Sequence, residues 1–258
     1  MKRWITFDLD GTLLQNPFDG AVFPEISSRI KALGFSADEV MAAIYAEHES
    51  RMAANRAVDA YDWDEIVNGC MRSKQIPLSF DITALVIKYA HRPHISLLEE
   101  QIPAVLEQLV SRGFSLAVVT NGFHKYQYPV MEALGISTYF ERVITPEQVG
   151  CAKPDTRIWD AIFREGELVA HVGDRIDHDV CAANGLGAVS VMIARTIPET
   201  LKRLRPEQRP FDRSFQEYCR EKWKSETGMA PPADFTSRCL PDMVIGSIAE
   251  LPDLEMVW

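Results

Sequence analysis

Residues 4–13, with the sequence WITFDLDGTL, decide the fold of this 258-residue chain. Residues 4–7 form an apolar run, typical of a buried strand, that leads into two carboxylates and a glycine. Because alternate residues of a strand face the same way, Asp8 and Asp10 are expected to approach one site where the strand ends, and Gly11 allows a sharp turn beyond them. Like charges held close together repel each other, and a divalent cation is the simplest group that offsets them. The stretch therefore predicts a strand whose carboxyl end carries a metal site, a catalytic site or both.

The two carboxylates also suit phosphoryl-transfer chemistry. Asp8 can attack phosphorus as a nucleophile and form an aspartyl-phosphate. Asp10 can give a proton to the leaving oxygen and later take one from water. Two plainer interpretations fit the segment by itself: a strand that runs into an acidic turn, or a calcium loop. An EF-hand needs a different carboxylate spacing with a glutamate at its end, and Gly11 comes too early for it.

Composition narrows the class of protein. The chain is 47% hydrophobic, enough for a substantial core, and its length allows one large domain or two modest ones. The net charge of -10 and the pI near 5.1 argue against general nucleic-acid binding. The sequence shows neither a signal peptide nor a stretch long enough to span a membrane. The five scattered cysteines, without a C-x-x-C, predict reduced thiols in a cytoplasmic protein.

Short apolar runs alternate with helical patterns, which is typical of a parallel sheet covered on both faces. We therefore predict an α/β fold, a Rossmann-like parallel sheet with helices on both faces. In such a sheet, ligands bind beyond the carboxyl ends of the strands. The predicted strands are 4–7, 116–119, 143–144, 168–172, 189–193 and 243–245, and the predicted helices between them are 101–112, 126–134, 156–164 and 179–184.

Residues 17–95, hereafter the helical insert, interrupt this alternation. Their pattern is mostly helical, and Ser36 with Glu39 is a capping-box signal. We predict a small α-helical domain inserted into a core formed by residues 1–16 and 96–258. Because it begins just after the acidic motif, we interpret it as a lid over the site; a packing appendage is the plainer alternative. The predicted helices of the insert are 25–33, 37–52, 63–71 and 81–90.

A second irregular stretch, residues 198–241, is rich in charge and proline. Phe211, Phe215, Tyr218 and Trp223 form an aromatic stripe near helical spacing. The stripe predicts a helix laid on the core, with a subunit interface as the alternative.

Two further polar positions follow predicted strands or precede a predicted helix. Thr120 ends the second strand, where its hydroxyl and the following backbone N–H groups can donate to a phosphate. Lys153 precedes a proline that can open a helix, and a fixed lysine there can neutralise a phosphate or a carboxylate cluster. Each signal is weak alone, because threonine is common at strand ends and most surface lysines are simply solvated.

A fourth apolar strand again ends in carboxylates. Asp174 is placed to bind a cation, and Asp179 opens the next helix. Mg²⁺ prefers carboxylate and carbonyl oxygens, and Asp8, the carbonyl of Asp10 and Asp174 would supply such a set. His178 does not point to zinc, because oxygen ligands dominate and no second histidine has suitable spacing.

With these motifs the chain resembles the haloacid dehalogenase superfamily. The motifs, which stand in the family's order at strand ends, are DLDGT (8–12), VVTNG (118–122), AKP (152–154) and GDRIDHD (173–179). The resemblance implies that the helical insert is a C1-type cap, which usually sets substrate choice. It implies the following roles: Asp8 as nucleophile and metal ligand, Asp10 as general acid/base with its carbonyl on Mg²⁺, Thr120, Asn121, Gly122 and Lys153 on the phosphoryl group, Asp174 as metal ligand, Asp179 in support, and Thr12 positioning Asp10.

Asp10 selects among the reactions of that superfamily. The dehalogenase and phosphonatase branches lack an aspartate there, whereas phosphatases and phosphomutases carry it. We therefore expect a cytoplasmic, Mg²⁺-dependent phosphomonoester hydrolase of a small metabolite, a monomer or homodimer without nucleic-acid or membrane partners. Within the superfamily, the chain resembles 5'-nucleotidases and phosphoserine phosphatases, which implies nucleotides or phosphoserine as specific substrates. A phosphomutase is the nearest alternative, and a non-catalytic phosphate- or metal-binding protein is a distant one.

Overall fold

A parallel sheet organises the chain, which a computed structural model describes at residues 1–54 and 56–253. Residues 55 and 254–258, which the predicted domain boundaries include, lie outside the described residues. The strands are β1 (Lys2–Phe7), β2 (Leu14–Gln15), β3 (Ser96–Leu97), β4 (Ser115–Val119), β5 (Arg142–Ile144), β6 (Gly166–Gly173), β7 (Val189–Ile193) and β8 (Met243–Ile245). Six of them pair in the order β5-β4-β1-β6-β7-β8, all parallel, and β2 pairs with β3 antiparallel.

Helices cover both faces of this sheet, as the sequence predicts. Ile5 and Phe7 of β1 pack in one apolar cluster, whereas Trp4 packs with Trp159 in another, as the alternation of side chains along a strand requires. The helices are α1 (Phe23–Ala32), α2 (Ala37–Ala53), α3 (Trp63–Ser73), α4 (Ile82–Tyr89), α5 (Ile102–Ser111), α6 (His124–Ala133), α7 (Pro146–Val149), α8 (Asp160–Phe163), α9 (Cys181–Leu186), α10 (Glu199–Lys202), α11 (Arg213–Thr227) and α12 (Phe235–Arg238).

Every predicted strand of the sheet is present, within two residues at each end. The predicted helix 156–164 begins as a 3-10 turn, Thr156–Trp159, and continues as α8. The capping box at Ser36 is wrong: Ser36 stands at the N-cap of α2 but its side chain caps nothing. Asp62 and Asp81 supply such caps for α3 and α4, where each carboxylate accepts a backbone N–H of the first turn.

Helices α1 to α4 lie between β2 and β3 and contact the rest of the chain through α6. Helix α4 packs on α6, and the hydroxyl of Tyr126 donates to the Asp64 carboxylate at 2.9 Å while accepting the Asp64 backbone N–H at 3.0 Å. The helical insert is thereby fixed next to the carboxyl end of β4. None of the helices in the described ranges is long and apolar enough to cross a bilayer.

The 198–241 segment packs on the core, as the aromatic stripe predicts. Phe215 of α11 is buried with Cys219, whereas Phe211 is 81% exposed, so the aromatic stripe is only partly a packing face. The prediction of five reduced cysteines is wrong, because Cys181 and Cys239 form a disulfide. Helices α9 and α12 pack together and bring the two Cα atoms to 4.6 Å from each other. The two cysteines are 58 residues apart in the sequence, so no local pattern indicates that they pair. Cys70, Cys151 and Cys219 are free and buried.

Candidate active site

The carboxyl ends of the neighbouring strands β4, β1 and β6 meet at one edge of the sheet, and the predicted site residues gather there. A cavity of about 360 Å³ opens at this edge, between the sheet and the helical insert. Six of the predicted residues line it: Asp8, Asp10, Thr120, Asn121, Gly122 and Lys153. Asp174 and Asp179 each place a carboxylate oxygen within 4.8 Å of an Asp8 oxygen.

Lys153 is the buried cation of the site. Its ammonium group donates to Asp8 Oδ1 at 2.7 Å and to Asp179 Oδ1 at 2.6 Å, and its side chain is 2% exposed. Burial, together with the neighbouring carboxylates, raises the pKa of Asp8 to about 7 even though Lys153 opposes the shift. Against the effect of burial, Lys153 and His171 hold the pKa of Asp179 below its usual range. The lysine therefore keeps two buried carboxylates side by side and orients the first of them.

Three carboxylates form a group that fits a hard divalent cation. Oxygens of Asp8, Asp174 and Asp179 all lie within 4.8 Å of one another. Asp179 has both oxygens occupied, by Lys153 and His171 on one and the Arg175 backbone N–H on the other. Burial and the Asp179 charge raise the pKa of Asp174. Oxygen donors of this kind suit Mg²⁺.

The turn at Gly11 brings Asp174 to this group. Gly11 has a φ of +79°, and a Cβ there would lie 2.9 Å from Asp174 Oδ2, so glycine is required for the backbone conformation and for the space. The hydroxyl of Thr12 donates to Asp8 at 3.3 Å and to Asp174 at 3.5 Å. The described hydrogen bonds of Thr12 do not reach Asp10, so the expectation that Thr12 positions Asp10 is wrong. The turn directs the Thr12 hydroxyl toward the carboxyl ends of β1 and β6 instead.

Asp10 is held instead by two amides that the sequence did not single out. Asn16 donates to Oδ1 at 2.6 Å and Gln127 donates to Oδ2 at 2.5 Å. Burial raises the pKa of Asp10, and these two donors only partly offset the shift. A Cβ on Gly122 would lie 2.1 Å from Gln127 Nε2, so Gly122 makes room for this contact. The motif glycine thus acts through Gln127 on the acid/base candidate.

Asn121 joins the second and third motifs. Its Oδ1 accepts the Lys153 backbone N–H at 2.7 Å and its Nδ2 donates to the Lys153 carbonyl at 3.0 Å. Thr120 is buried, and its hydroxyl accepts the Gly122 N–H at 3.2 Å, which leaves the hydroxyl proton available for a ligand oxygen. His178, also buried at the cavity wall, has its pKa lowered to about 4 by burial.

A hydrogen-bonded chain behind the site ends on Asp179. His171 Nε2 lies 3.0 Å from Asp179 Oδ1, and its Nδ1 lies 2.8 Å from the Thr6 hydroxyl, which in turn accepts from Trp159 Nε1 at 3.2 Å. Burial lowers the pKa of His171, so a neutral ring donates to Asp179 and accepts from Thr6. Sequence reasoning missed His171 because its strand reads as a continuous apolar run, and a single histidine within it carries no signal.

The 198–241 segment supports the loop between Asp174 and Asp179. Glu226 near the end of α11 accepts the backbone N–H groups of Ile176 at 3.0 Å and Asp177 at 3.3 Å. Lys222, one turn earlier, pairs with the same carboxylate at 3.0 Å. The helix therefore satisfies two loop donors that would otherwise lack partners.

Replacing Glu226 with alanine is expected to lower the stability of the protein. Loss of the acceptor leaves two backbone donors unpaired, at about 1–3 kcal/mol for a buried group, which corresponds to a Tm lower by roughly 2–12 °C. Thermal unfolding measures the effect, with Glu221→Ala as the matched control, since the Glu221 side chain on the same helix is 71% exposed. Equal melting temperatures for the two variants would contradict the supporting role of Glu226.

Comparison with known proteins agrees with this geometry. The family model for haloacid dehalogenase-like hydrolases matches residues 2–187. The chain is 36% identical to a glyceraldehyde 3-phosphate phosphatase of Methanopyrus kandleri over 44% of its own length and 51% of the relative's, so it spans about half of that protein. It is 28% identical to a glyceraldehyde 3-phosphate phosphatase of Methanocaldococcus jannaschii over 76% of its length and 86% of the relative's. A solved HAD phosphatase of Thermococcus onnurineus superposes with a TM-score of 0.61 at 30% identity, over 77% of this chain and 89% of that one.

Proposed function

The chain belongs to the haloacid dehalogenase-like hydrolases, and we propose that it is a Mg²⁺-dependent phosphomonoester hydrolase that acts on a small phosphorylated metabolite. The observation that carries the proposal is the pair of aspartates at the end of β1. Asp8 is fixed by Lys153 as a nucleophile, and Asp10, two residues on, has the raised pKa of a general acid. Relatives named as phosphatases support the same reaction class.

In the first half of the proposed reaction, an Asp8 oxygen forms a bond to phosphorus while the bond from phosphorus to the leaving oxygen breaks. Asp10 gives its proton to that oxygen, so the leaving group departs as a neutral alcohol. The Thr120 hydroxyl and the Lys153 ammonium bind phosphoryl oxygens. The product of this half is an aspartyl-phosphate on Asp8.

In the second half, the Asp10 carboxylate takes a proton from water as the water oxygen bonds to phosphorus. The bond from phosphorus to Asp8 breaks, which releases phosphate and restores both carboxyl groups. Asp8, Asp174 and the Asp10 carbonyl would hold Mg²⁺, with Asp179 in support. Bound there, the ion neutralises the charge of the carboxylates and of the phosphoryl group.

We propose that the helical insert, residues 17–95, acts as a cap domain. It contributes residues to the cavity next to Asp10, among them Phe18 and Trp63. A cap at this position excludes water from the phosphoryl site and contacts the leaving group. Opening of such a cap has to break the Asp64–Tyr126 hydrogen bonds, as well as the contacts of Lys125 with Asp64 and of Asn121 with Tyr61.

The test is phosphate release from a panel of phosphomonoesters with Mg²⁺, covering phosphoserine, nucleoside monophosphates, phosphoglycolate and sugar phosphates. Selective release supports the hydrolase. Isomerised phospho-sugar without free phosphate would identify a phosphomutase instead. Absence of any turnover in a protein that binds Mg²⁺ would contradict the enzymatic proposal.

Replacing Asp10 with asparagine is expected to lower kcat by about 10²–10⁴-fold, the usual contribution of a general acid/base. Asparagine keeps the backbone carbonyl, so Mg²⁺ binding should stay largely intact. Steady-state kinetics and a Mg²⁺ titration separate the two effects. Asp38→Asn, an exposed site on α2, is the control. Full activity in the Asp10 variant would exclude Asp10 as the acid/base.

A further inference from the structure

Aromatic rings form the wall that the helical insert contributes to the cavity. Trp63 stands at the centre of this wall. The ring centroid of Phe23 lies 5.2 Å from that of Trp63 with a 74° interplanar angle, and the His48 ring stacks on Trp63 with centroids 5.1 Å apart and a 25° angle. The other aromatic residues of the insert that line the cavity are Phe18, Tyr45 and Tyr61. Such rings favour a flat apolar surface in the ligand.

The charges around this wall disfavour a second anionic group in the ligand. Among the described residues of the insert, the only acidic side chain at the cavity is Asp19, which is exposed and close enough to Asp10 to raise the pKa of Asp10. The core offers two cations, Lys153 and Arg175. Lys153 lies between two carboxylates, and Arg175 is held by Asp177 through two hydrogen bonds of 2.9 and 2.8 Å. A carboxylate or second phosphate on the leaving group would therefore face Asp19, with both cations of the core already paired with carboxylates.

The polar groups of the wall include the Asp19 carboxylate, the two tyrosine hydroxyls and the indole N–H of Trp63. Asp19 offers carboxylate oxygens, which accept hydrogen bonds from hydroxyl groups as acidic residues do from ribose. His48 places Nδ1 2.6 Å from the Ala60 carbonyl, so this nitrogen is the donor of that hydrogen bond. The cavity of about 360 Å³ lies near the lower end of the range of pockets that hold organic ligands, and a two-carbon leaving group would leave most of the wall uncovered.

We propose that the leaving group is an uncharged, hydroxyl-bearing molecule with a planar ring, so that the substrate class is the nucleoside monophosphates. The inference rests on the proposed function, since it concerns the leaving group of that reaction. The ring stacks against Trp63 and Tyr45, the sugar hydroxyls donate to Asp19, and the phosphoryl group meets Asp8. Trp63 is then a specificity-determining residue that sequence motifs do not mark.

The experiment compares kcat/KM for adenosine and uridine 5'-monophosphates with that for ribose 5-phosphate, which has the same phosphate and sugar without the base. Stacking of one base is expected to favour the nucleotides by about 10- to 100-fold. Trp63→Leu should bring this ratio close to one through a higher nucleotide KM. Because Trp63 also packs within the insert, Tyr45→Leu, at a ring 42% exposed, is a second variant that should lower the same ratio. Phe211→Leu, at an exposed ring outside this cavity, is the matched control.

The outcomes separate the substrate class from the reaction. If glyceraldehyde 3-phosphate or phosphoglycolate is hydrolysed with a higher kcat/KM than the nucleotides, the substrate class is overturned while the hydrolase stands. If the nucleotide preference is present but unchanged in both cavity variants, the aromatic wall is not its cause. If none of the five compounds releases phosphate but another phosphomonoester of the panel does, the substrate class is overturned; if no compound of the whole panel does, the proposed function itself fails.

Discussion

Replacing Asp8 with alanine is expected to abolish phosphate release, with a loss of roughly 10⁵–10⁶-fold as for other nucleophile deletions. The methyl group has no oxygen that can bond to phosphorus, and Lys153 keeps only Asp179 as its partner. Phosphate release under saturating Mg²⁺ measures the loss. Intermediate trapping gives a second readout: the parent protein should take up label from a ³²P-labelled substrate at an acid-stable, base-labile linkage, and the variant should not.

The same variant should remain folded. Burial raises the pKa of Asp8 to about 7, so the folded protein binds this proton more tightly than the unfolded chain. The stability that this group contributes is therefore lost as the pH rises from the ordinary pKa of an aspartate to the folded-state pKa of about 7. At pH 8 the ionised carboxylate destabilises the metal-free protein. Removal of Asp8 is thus expected to leave the Tm of metal-free protein at pH 8 unchanged or higher. Residual turnover near that of the parent, in a folded variant, would exclude Asp8 as the nucleophile.

Local sequence was enough to locate the strands and the residues that follow them. The β1 run ends in Asp8 and the β6 run ends near Asp174, and parallel strands place such ends at one edge. Their meeting therefore follows from the fold class alone. Lys153 was a weak signal by itself, and only its burial between Asp8 and Asp179 distinguishes it from a solvated surface lysine.

Contacts between distant elements could not be predicted in the same way. Gln127 reaches Asp10 because α6 turns its buried face toward the β1 end, and nothing local to Gln127 differs from an ordinary helix position. The Cys181–Cys239 pair depends on how α12 packs on α9. The family resemblance implies that Thr12 positions Asp10, but the left-handed turn at Gly11 directs its hydroxyl to Asp8 and Asp174. In each case the deciding variable is a packing direction rather than a residue type.

Replacing Lys153 with methionine is expected to remove activity and to destabilise the protein. The ammonium group compensates two buried carboxylates at 2.7 and 2.6 Å. Although burial opposes it, the charges of Asp179 and Asp8 raise the pKa of Lys153, so the lysine is a stable cation. Loss of one member of a buried ion pair costs about 3–5 kcal/mol, or a Tm lower by roughly 6–20 °C for a domain of this size. Lys31→Met, at an exposed site on α1, is the matched control.

A double variant separates the charge from the space that Lys153 fills. In Lys153→Met with Asp179→Asn, one uncompensated carboxylate is gone, so part of the lost stability should return. Activity should not return, because neither the phosphoryl group nor Asp8 regains a cation. If the double variant melts no higher than Lys153→Met, the cost lies in packing of the lysine stem rather than in the uncompensated charges of the buried aspartates. If either variant keeps the activity of the parent, Asp8 is oriented by something other than Lys153, and the geometry at the end of β1 needs another explanation.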